Sequence, residues 1–125
     1  MTINVSDVRP VVVQKYGGSS LADAEHIHNV AARIQLRRDD GVDVIVVVSA
    51  MGDSTDRLVD LSDQVAFHDV DGRREIDVLL STGEQVTIAL LALTLKKHGC
   101  LAESFTGRQA CLLYTSPSPR DGLLS

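Results

Sequence analysis

The sequence predicts an α/β fold in which helices flank a largely parallel sheet. The main observation is the segment at residues 42–48, which is almost unbroken valine and isoleucine, as expected of a parallel strand covered on both faces. A second β-branched run, at residues 11–16, is followed by a stretch with helical periodicity. Alternating strands and helices are typical of parallel sheets with right-handed crossovers, and 125 residues correspond to one domain.

The first strand is predicted over residues 11–16, and the first helix follows it. Ser20 is the expected N-cap, because Asp23 stands three residues on in a pattern close to a capping box. Apolar residues then recur at helical spacing, at Ile27, Val30, Ala31 and Ile34. We expect this helix to end near residues 37–38, before the turn signal at residues 39–41.

A second strand is predicted over residues 42–48 and a second helix over residues 55–66. Residues 75–98 have a strongly helical pattern, but a glycine inside the apolar run predicts a break or a new helix start at residues 81–84. Gly99 is expected to close this helix. A third strand is then predicted over residues 100–105.

Composition and charge argue against several classes of partner. The net charge is −5 and the basic residues are spread along the chain, so no nucleic-acid partner is expected. No window approaches the ~18 consecutive apolar residues of a membrane span, and residues 2–7 lack the features of a signal peptide. A cytoplasmic protein is therefore expected. Cys100 and Cys111 lack metal-ligand spacing and are too few for a disulfide scaffold.

The last segment, residues 111–125, breaks with the pattern of the rest of the chain. It holds two of the three prolines and has no periodicity. Residues 111–121 can be encoded by a sequence that resembles a transposon-end sequencing adapter read in frame. We interpret this segment as an artefact that is not native, with a natural Ser/Pro-rich linker as the alternative, and exclude it from the fold prediction.

A lysine and two glycines stand at the first strand-to-helix corner, in the run KYGGSS at residues 15–20. Glycines let backbone amides approach an anion closely, and a helix N-terminus presents N–H groups without partners. Polar residues also follow the other predicted strands, at residues 49–55 and 106–107, and Glu84 can reach the same rim. Because ligands bind at the carboxyl ends of parallel strands, these corners predict one site that accepts an anion such as phosphate.

This corner differs from the common phosphate-binding motifs. Its lysine precedes the glycines, whereas the lysine of a Walker A loop follows them, and it does not match the Rossmann fingerprint. The run at residues 15–20 instead resembles the signature that opens aspartokinases, which are members of the amino acid kinase superfamily. Residues 47–56, 79–86 and 104–110 resemble the second, third and fourth motifs of that family, in the same order and at comparable spacing.

The resemblance covers residues 11–110 and implies a three-layer α/β sandwich that is incomplete in this chain. Residues 1–10 contribute nothing to the match and are interpreted as an N-terminal extension. The implied reaction transfers the γ-phosphoryl group of ATP to the β-carboxylate of L-aspartate, the first step of lysine, threonine and methionine synthesis. We expect the chain to be an N-terminal fragment that is inactive alone, and the full-length protein to be a homo- or hetero-oligomer.

The resemblance also implies roles for individual residues. Lys15 is the candidate catalytic residue, because phosphoryl transfer requires charge on the phosphate oxygens to be neutralised. The candidates for binding ATP are Lys15, Tyr16, Gly17, Gly18 and Ser19. The candidates for binding aspartate are Ser49, Thr55 and Glu84. Mg²⁺ is expected with ATP, held by phosphate oxygens and water, and no protein ligand is assigned to it.

Each candidate also has a purely structural interpretation. Gly17 and Gly18 can serve only as a tight turn, and Lys15 can be a solvated lysine at a strand end. Thr55 can be a helix N-cap, and Glu84 a carboxylate favoured by a helix dipole. Two other functions also stay open: another amino acid kinase, acting on glutamate, acetylglutamate or a nucleotide, and a non-catalytic nucleotide-binding or regulatory module.

Overall fold

Two parallel strands and four α-helices form the part of the chain that the computed structural model describes. This part comprises residues 8–66 and 71–115, with side chains described as far as residue 111. The elements, in chain order, are β1 (Val11–Tyr16), a 3₁₀ helix (Gly18–Leu21), α1 (Ala24–Asp39), β2 (Asp43–Val48), α2 (Ser54–Ala66), α3 (Arg73–Lys97) and α4 (Gly107–Thr115).

The strands β1 and β2 pair in parallel, with a register that runs from Val11 opposite Asp43 to Tyr16 opposite Val48. This pairing confirms the two strands predicted from the valine-rich runs. Because α1 connects the two strands, their carboxyl ends meet at the same edge of the sheet. The corners that follow β1 and β2 are therefore neighbours.

One face of this sheet is covered by α1 and α3. Tyr16, Val44, Val46 and Val48 point to this face and pack on a buried cluster. The members of the cluster are Leu21, Ile27, Val30, Ala31, Ile34, Leu91 and Leu95. Four of them are the apolar residues of α1 that the periodicity predicted, so this helix forms for the expected reason.

The opposite face of the sheet is open. Alternate residues of β1 and β2 point to it, because successive side chains of a strand face opposite sides. Val13 and Ile45 lie opposite each other in the register and are 64% and 54% exposed. Val11, Val47 and Lys15 share this face. The apolar side chains among them are 46–64% exposed in the part of the chain that the structure describes.

The N-cap of the first helix differs from the prediction. Ser20 lies inside the short 3₁₀ helix, and α1 begins only at Ala24. The cap is Asp23, whose Oδ1 accepts a hydrogen bond from the His26 backbone N–H at 3.0 Å. The prediction of Ser20 was wrong because the chain needs an extra turn to pass from the sheet edge to the start of α1. The predicted end near residues 37–38 is close to the observed end at Asp39.

The break predicted at residues 81–84 is absent, because α3 is a continuous helix of 25 residues. Gly83 is buried in the middle of this helix. The glycine signal therefore reflects close packing by a neighbouring element and not a change of direction. Gly99 follows the helix with φ of +80°, the left-handed conformation that is common at helix ends.

The third strand predicted at residues 100–105 is also not observed. This segment has no regular secondary structure. Cys100 and Ala102 pack against the buried cluster, but β2 pairs only with β1 in the described part of the sheet. Strand geometry requires a hydrogen-bonded neighbour, and this segment lacks one.

One of the described helices, α3, is long and apolar enough to cross a bilayer by length and composition alone. Core helices of soluble proteins pass the same test. In this structure α3 contacts α1, α2 and β2. The expected absence of a membrane partner therefore stays a prediction.

The helix α4 extends past the predicted boundary at residue 110, to Thr115. Residues 116–125 lie outside the described residues, so the interpretation of residues 111–125 as an artefact also stays a prediction. The same holds for the N-terminal extension, since residues 1–7 lie outside the described part.

Candidate functional site

The first corner of the candidate site begins at the carboxyl end of β1. Lys15 is exposed and lies on the open face of the sheet, opposite Val47 in the register. Gly17 is also exposed, and a Cβ placed on it would meet nothing within 4 Å. In the turn that follows, the Ser20 N–H donates to the Gly17 carbonyl at 3.1 Å, so the N–H groups of Gly18 and Ser19 precede this first bond. The corner presents a cation beside accessible main chain.

Tyr16 contributes to this corner through its main chain only. Its side chain packs on the covered face of the sheet, and its hydroxyl donates to Gln14 Oε1 at 2.9 Å. Its carbonyl accepts a hydrogen bond from the Ser49 N–H at 3.3 Å. The Tyr16 ring therefore anchors the strand end, while the residues on either side of it stay exposed.

The second corner, at residues 49–53, is in main-chain contact with the first. The Gly52 N–H donates to the Gly18 carbonyl at 3.2 Å. Gly52 has φ of +49°, a conformation that other residues rarely adopt, and a Cβ on it would lie 3.3 Å from the Ala22 carbonyl oxygen. Two main-chain hydrogen bonds, from Ser49 and from Gly52, thus hold the two corners together.

The hydroxyl residues of the second corner differ in their exposure. Thr55 is exposed in the first turn of α2, and Ser49 is half-buried, with its Oγ 3.4 Å from the Ala50 carbonyl oxygen. The Ser54 Oγ is buried and has no hydrogen-bond partner among the described residues. Thr55 is therefore available to a ligand at this corner, whereas Ser54 faces the protein interior.

The third part of the candidate site is carried by α3. Gly83 lies against the second corner: a Cβ on Gly83 would be 3.0 Å from Ala50 Cβ and 3.6 Å from Ser54 Oγ. Glu84 follows directly and is exposed. The close approach at Gly83 thus places the main chain of α3 directly before Glu84 against the second corner.

Glu84 also lines a groove of ≈ 1130 Å³ along the unpaired edge of β2. The groove lies between β2, α3 and residues 100–110, and Glu103, Phe105 and Arg108 line its far side. Lys15, Ser49 and Thr55 do not line it. The groove is therefore lined by Glu84 and by the predicted corner at residues 106–107, but not by the corner that holds Lys15. It is the space beside β2 where the predicted third strand is not paired.

The structure thus brings the main chains of the predicted site together, but not the side chains of its candidate residues. The two corners touch through their main chains, and Gly83 brings α3 against the second corner. No hydrogen bond or ion pair joins the side chains of Lys15, Thr55 and Glu84, all three of which lie in the described residues. The contact residues Gly52, Ser54 and Gly83 were not nominated from the sequence, although the unusual glycine within a helical pattern was a signal for the last of them.

The corner fits a phosphate group better than a metal ion. Lys15 supplies a positive charge, and the open space at Gly17 lets an anion approach the main chain. Within the described residues, no group of three His, Cys, Asp or Glu side chains could hold a metal. The prediction that Mg²⁺ has no protein ligand in this segment is neither confirmed nor contradicted by this finding.

Comparisons with known proteins point to one family. The Amino acid kinase family matches residues 10–123. The chain is 47% identical over 114 residues to the aspartate kinase Ask_LysC of Stutzerimonas stutzeri, covering 91% of this chain and 27% of that protein. It is 51% identical over 105 residues to the aspartokinase of Corynebacterium glutamicum, covering 84% of this chain and 24% of that protein.

A solved structure gives the same result. The fold is similar to that of the aspartate kinase from Synechocystis, with a TM-score of 0.74 and 52% identity over 79% of this chain and 17% of that one. The chain spans about a quarter of the length of the curated relatives it matches. The resemblance found in the four motifs and the incomplete α/β fold are confirmed, and the chain belongs to the amino acid kinase family.

Proposed function

We propose that this chain is part of an aspartokinase, which transfers the γ-phosphoryl group of ATP to the β-carboxylate of L-aspartate. The observation that carries the proposal is the main-chain contact between the two corners, Gly52 N–H to Gly18 carbonyl at 3.2 Å. This contact makes the candidate ATP residues neighbours of the candidate aspartate residues. Phosphoryl transfer depends mainly on such positioning and on charge neutralisation.

In this proposal Lys15 neutralises charge on the transferring phosphoryl group. It is exposed at the strand end, so it can turn toward a ligand without disturbing the core. The N–H groups of Gly17, Gly18 and Ser19, with the Ser19 hydroxyl, donate to phosphate oxygens. Tyr16 contributes main-chain atoms and keeps β1 in place through its ring.

The aspartate side of the proposed site is formed by Ser49, Thr55 and Glu84. A carboxylate such as Glu84 suits the α-ammonium group of the substrate, and hydroxyls such as those of Thr55 and Ser49 can donate to its carboxylates. All three belong to elements that meet at the second corner. ATP and Mg²⁺ complete the proposal, with Mg²⁺ held by phosphate oxygens and water. We also propose that the full-length protein is cytoplasmic and oligomeric.

The test uses a hybrid enzyme, in which residues 11–110 of this chain replace the matching segment of the Corynebacterium glutamicum aspartokinase. ADP release is measured with and without L-aspartate. We expect aspartate-dependent turnover by the hybrid and negligible turnover by the 125-residue chain alone, because the chain spans only about a quarter of its relatives. Lys15→Ala should lower kcat/KM of the hybrid by about 10²- to 10³-fold.

The matched control is Lys97→Ala, an exposed lysine at the far end of α3, which should leave turnover unchanged. A folded hybrid that binds ATP but shows no aspartate-dependent turnover would favour a non-catalytic nucleotide-binding module. Turnover with glutamate, acetylglutamate or a nucleotide in place of aspartate would indicate another amino acid kinase.

A further inference from the structure

Gly83 occupies the closest approach between α3 and the second corner. A Cβ on this residue would lie 3.0 Å from Ala50 Cβ, 3.6 Å from Ser54 Oγ and 3.7 Å from Leu58 Cδ1. The corner after β2, the start of α2 and the middle of α3 therefore meet at one point. Ala50 itself is buried, at 5% exposure.

A Cβ at this point would be closer to Ala50 than an ordinary contact allows. Carbon atoms in optimal contact are ~3.5–4.0 Å apart, so a methyl group at position 83 would force α3 and Ala50 to separate. Glycine in the middle of a helix is less favourable than alanine. Because α3 passes through Gly83 without a break, the glycine provides close packing and not a hinge.

The residues at this contact are the direct neighbours of the proposed aspartate ligands. Ala50 follows Ser49, Ser54 precedes Thr55, and Gly83 precedes Glu84. A change in the distance between Gly83 and Ala50 therefore changes the distance from Glu84 to both hydroxyl residues. The ATP side is attached differently, through the hydrogen bonds from Ser49 to Tyr16 and from Gly52 to Gly18.

We propose that Gly83 is a positioning residue, whose contact with Ala50 sets the distance between Glu84 and the hydroxyl residues and thereby the affinity for aspartate. This inference rests on the proposed function. Gly83 itself touches no substrate in this account. It acts by letting α3 lie at the correct depth against the second corner.

The test compares four forms of the hybrid enzyme: unsubstituted, Gly83→Ala, Ala50→Gly, and both changes together. In Gly83→Ala the KM for aspartate should rise about tenfold while the KM for ATP changes by less than about twofold, because only one side of the site moves. Ala50→Gly removes the methyl group that the new one meets. The double variant should therefore recover an aspartate KM within about threefold of the unsubstituted hybrid.

The matched control is Thr82→Ala, at an exposed position two residues before Glu84, which should leave both KM values unchanged. A helix that is merely destabilised would lower the active fraction and leave both KM values in place. An unchanged aspartate KM in Gly83→Ala, a parallel rise in both KM values, or a failure of Ala50→Gly to restore the value would each overturn the proposal.

These outcomes separate the inference from the function on which it rests. If the unsubstituted hybrid is folded and lacks aspartate-dependent turnover, the proposed function is wrong and the role of Gly83 is overturned with it. If the unsubstituted hybrid is active and Gly83→Ala behaves like it, only the role of Gly83 is wrong. If Gly83→Ala does not fold, the double variant provides the test. A double variant that folds but does not recover the aspartate KM contradicts the proposal.

Discussion

The two faces of the β1–β2 sheet are both apolar, yet only one of them is buried. On the covered face, Val44, Val46 and Val48 pack against helices that lie within this chain. On the open face, Val13 and Ile45 are more than half exposed. An exposed apolar sheet face is unfavourable in water and indicates an interaction surface. Since the relatives are about four times as long, we expect their additional polypeptide to cover this face.

The largest effect should come from placing charges on the open face of the hybrid enzyme. Val13→Lys combined with Ile45→Glu puts two opposite charges at paired positions of the register. In the hybrid, where we expect this face to be buried, the pair should cost several kcal/mol and abolish aspartate-dependent turnover. In the 125-residue chain the same change should alter the free energy of unfolding by less than about 1 kcal/mol and reduce binding of a hydrophobic dye.

Urea unfolding of the chain and turnover of the hybrid measure the two results. A hybrid that keeps full activity with both charges would show that the open face remains open in the longer protein. A chain that unfolds would show that this face is already buried.

A smaller difference is expected when the same substitution is made on each face of the sheet within the 125-residue chain. Ile34→Ala removes a side chain that is 3% exposed in the buried cluster, and it should lower the free energy of unfolding by about 3 kcal/mol. Ile45→Ala is the same change at a side chain that is 54% exposed, and it should cost less than about 1 kcal/mol. Urea unfolding measures the free energy of unfolding of both variants. An equal decrease in the two variants would contradict the assignment of the buried and open faces.

The smallest effect concerns Asp23, which caps the helix that covers the buried face. The His26 ring nitrogen, 2.7 Å from Asp23 Oδ1, lowers the pKa of Asp23 below its ordinary value of 3.8. Because the pKa is lower in the folded state, the stabilisation is present above pH 3.8 and is lost as the pH falls below it. Asp23→Ala should therefore lower the melting temperature slightly at pH 7 and have less effect at pH 3.

The control for this measurement is Asp60→Ala, an exposed carboxylate in the middle of α2. It removes the same charge without removing a helix cap. If both variants lower the melting temperature by the same amount at pH 7, the cap of α1 makes no measurable contribution to stability.

Local patterns predicted most of the elements because their causes lie within a few residues. The run at residues 11–16 became β1 with the same bounds, since β-branched residues favour strands wherever a partner strand is available. The period of α1 identified its buried face for a similar reason. The third strand failed because a strand also requires a neighbour, which residues 100–105 lack in this structure.

The candidate site could be predicted as a set of positions but not as a set of contacts. The four motifs indicated Lys15, Thr55 and Glu84 from residue types and order alone. The contacts that join their elements are made by Gly52 and Gly83, at main-chain or Cβ distances that depend on how distant segments pack. A glycine in a helical pattern predicts a break when only its intrinsic propensity is considered, and Gly83 shows that packing can be the reason instead.

The hydrogen bond between Gly52 and Gly18 also bears on the entropy of ligand binding. Donor and acceptor both belong to the main chain, so the two corners are already joined when the protein has folded. A loop that becomes ordered only around its ligand loses conformational entropy at that moment and weakens binding. At this junction the loss occurs during folding, so the affinity for a ligand that bridges the corners is not reduced by it.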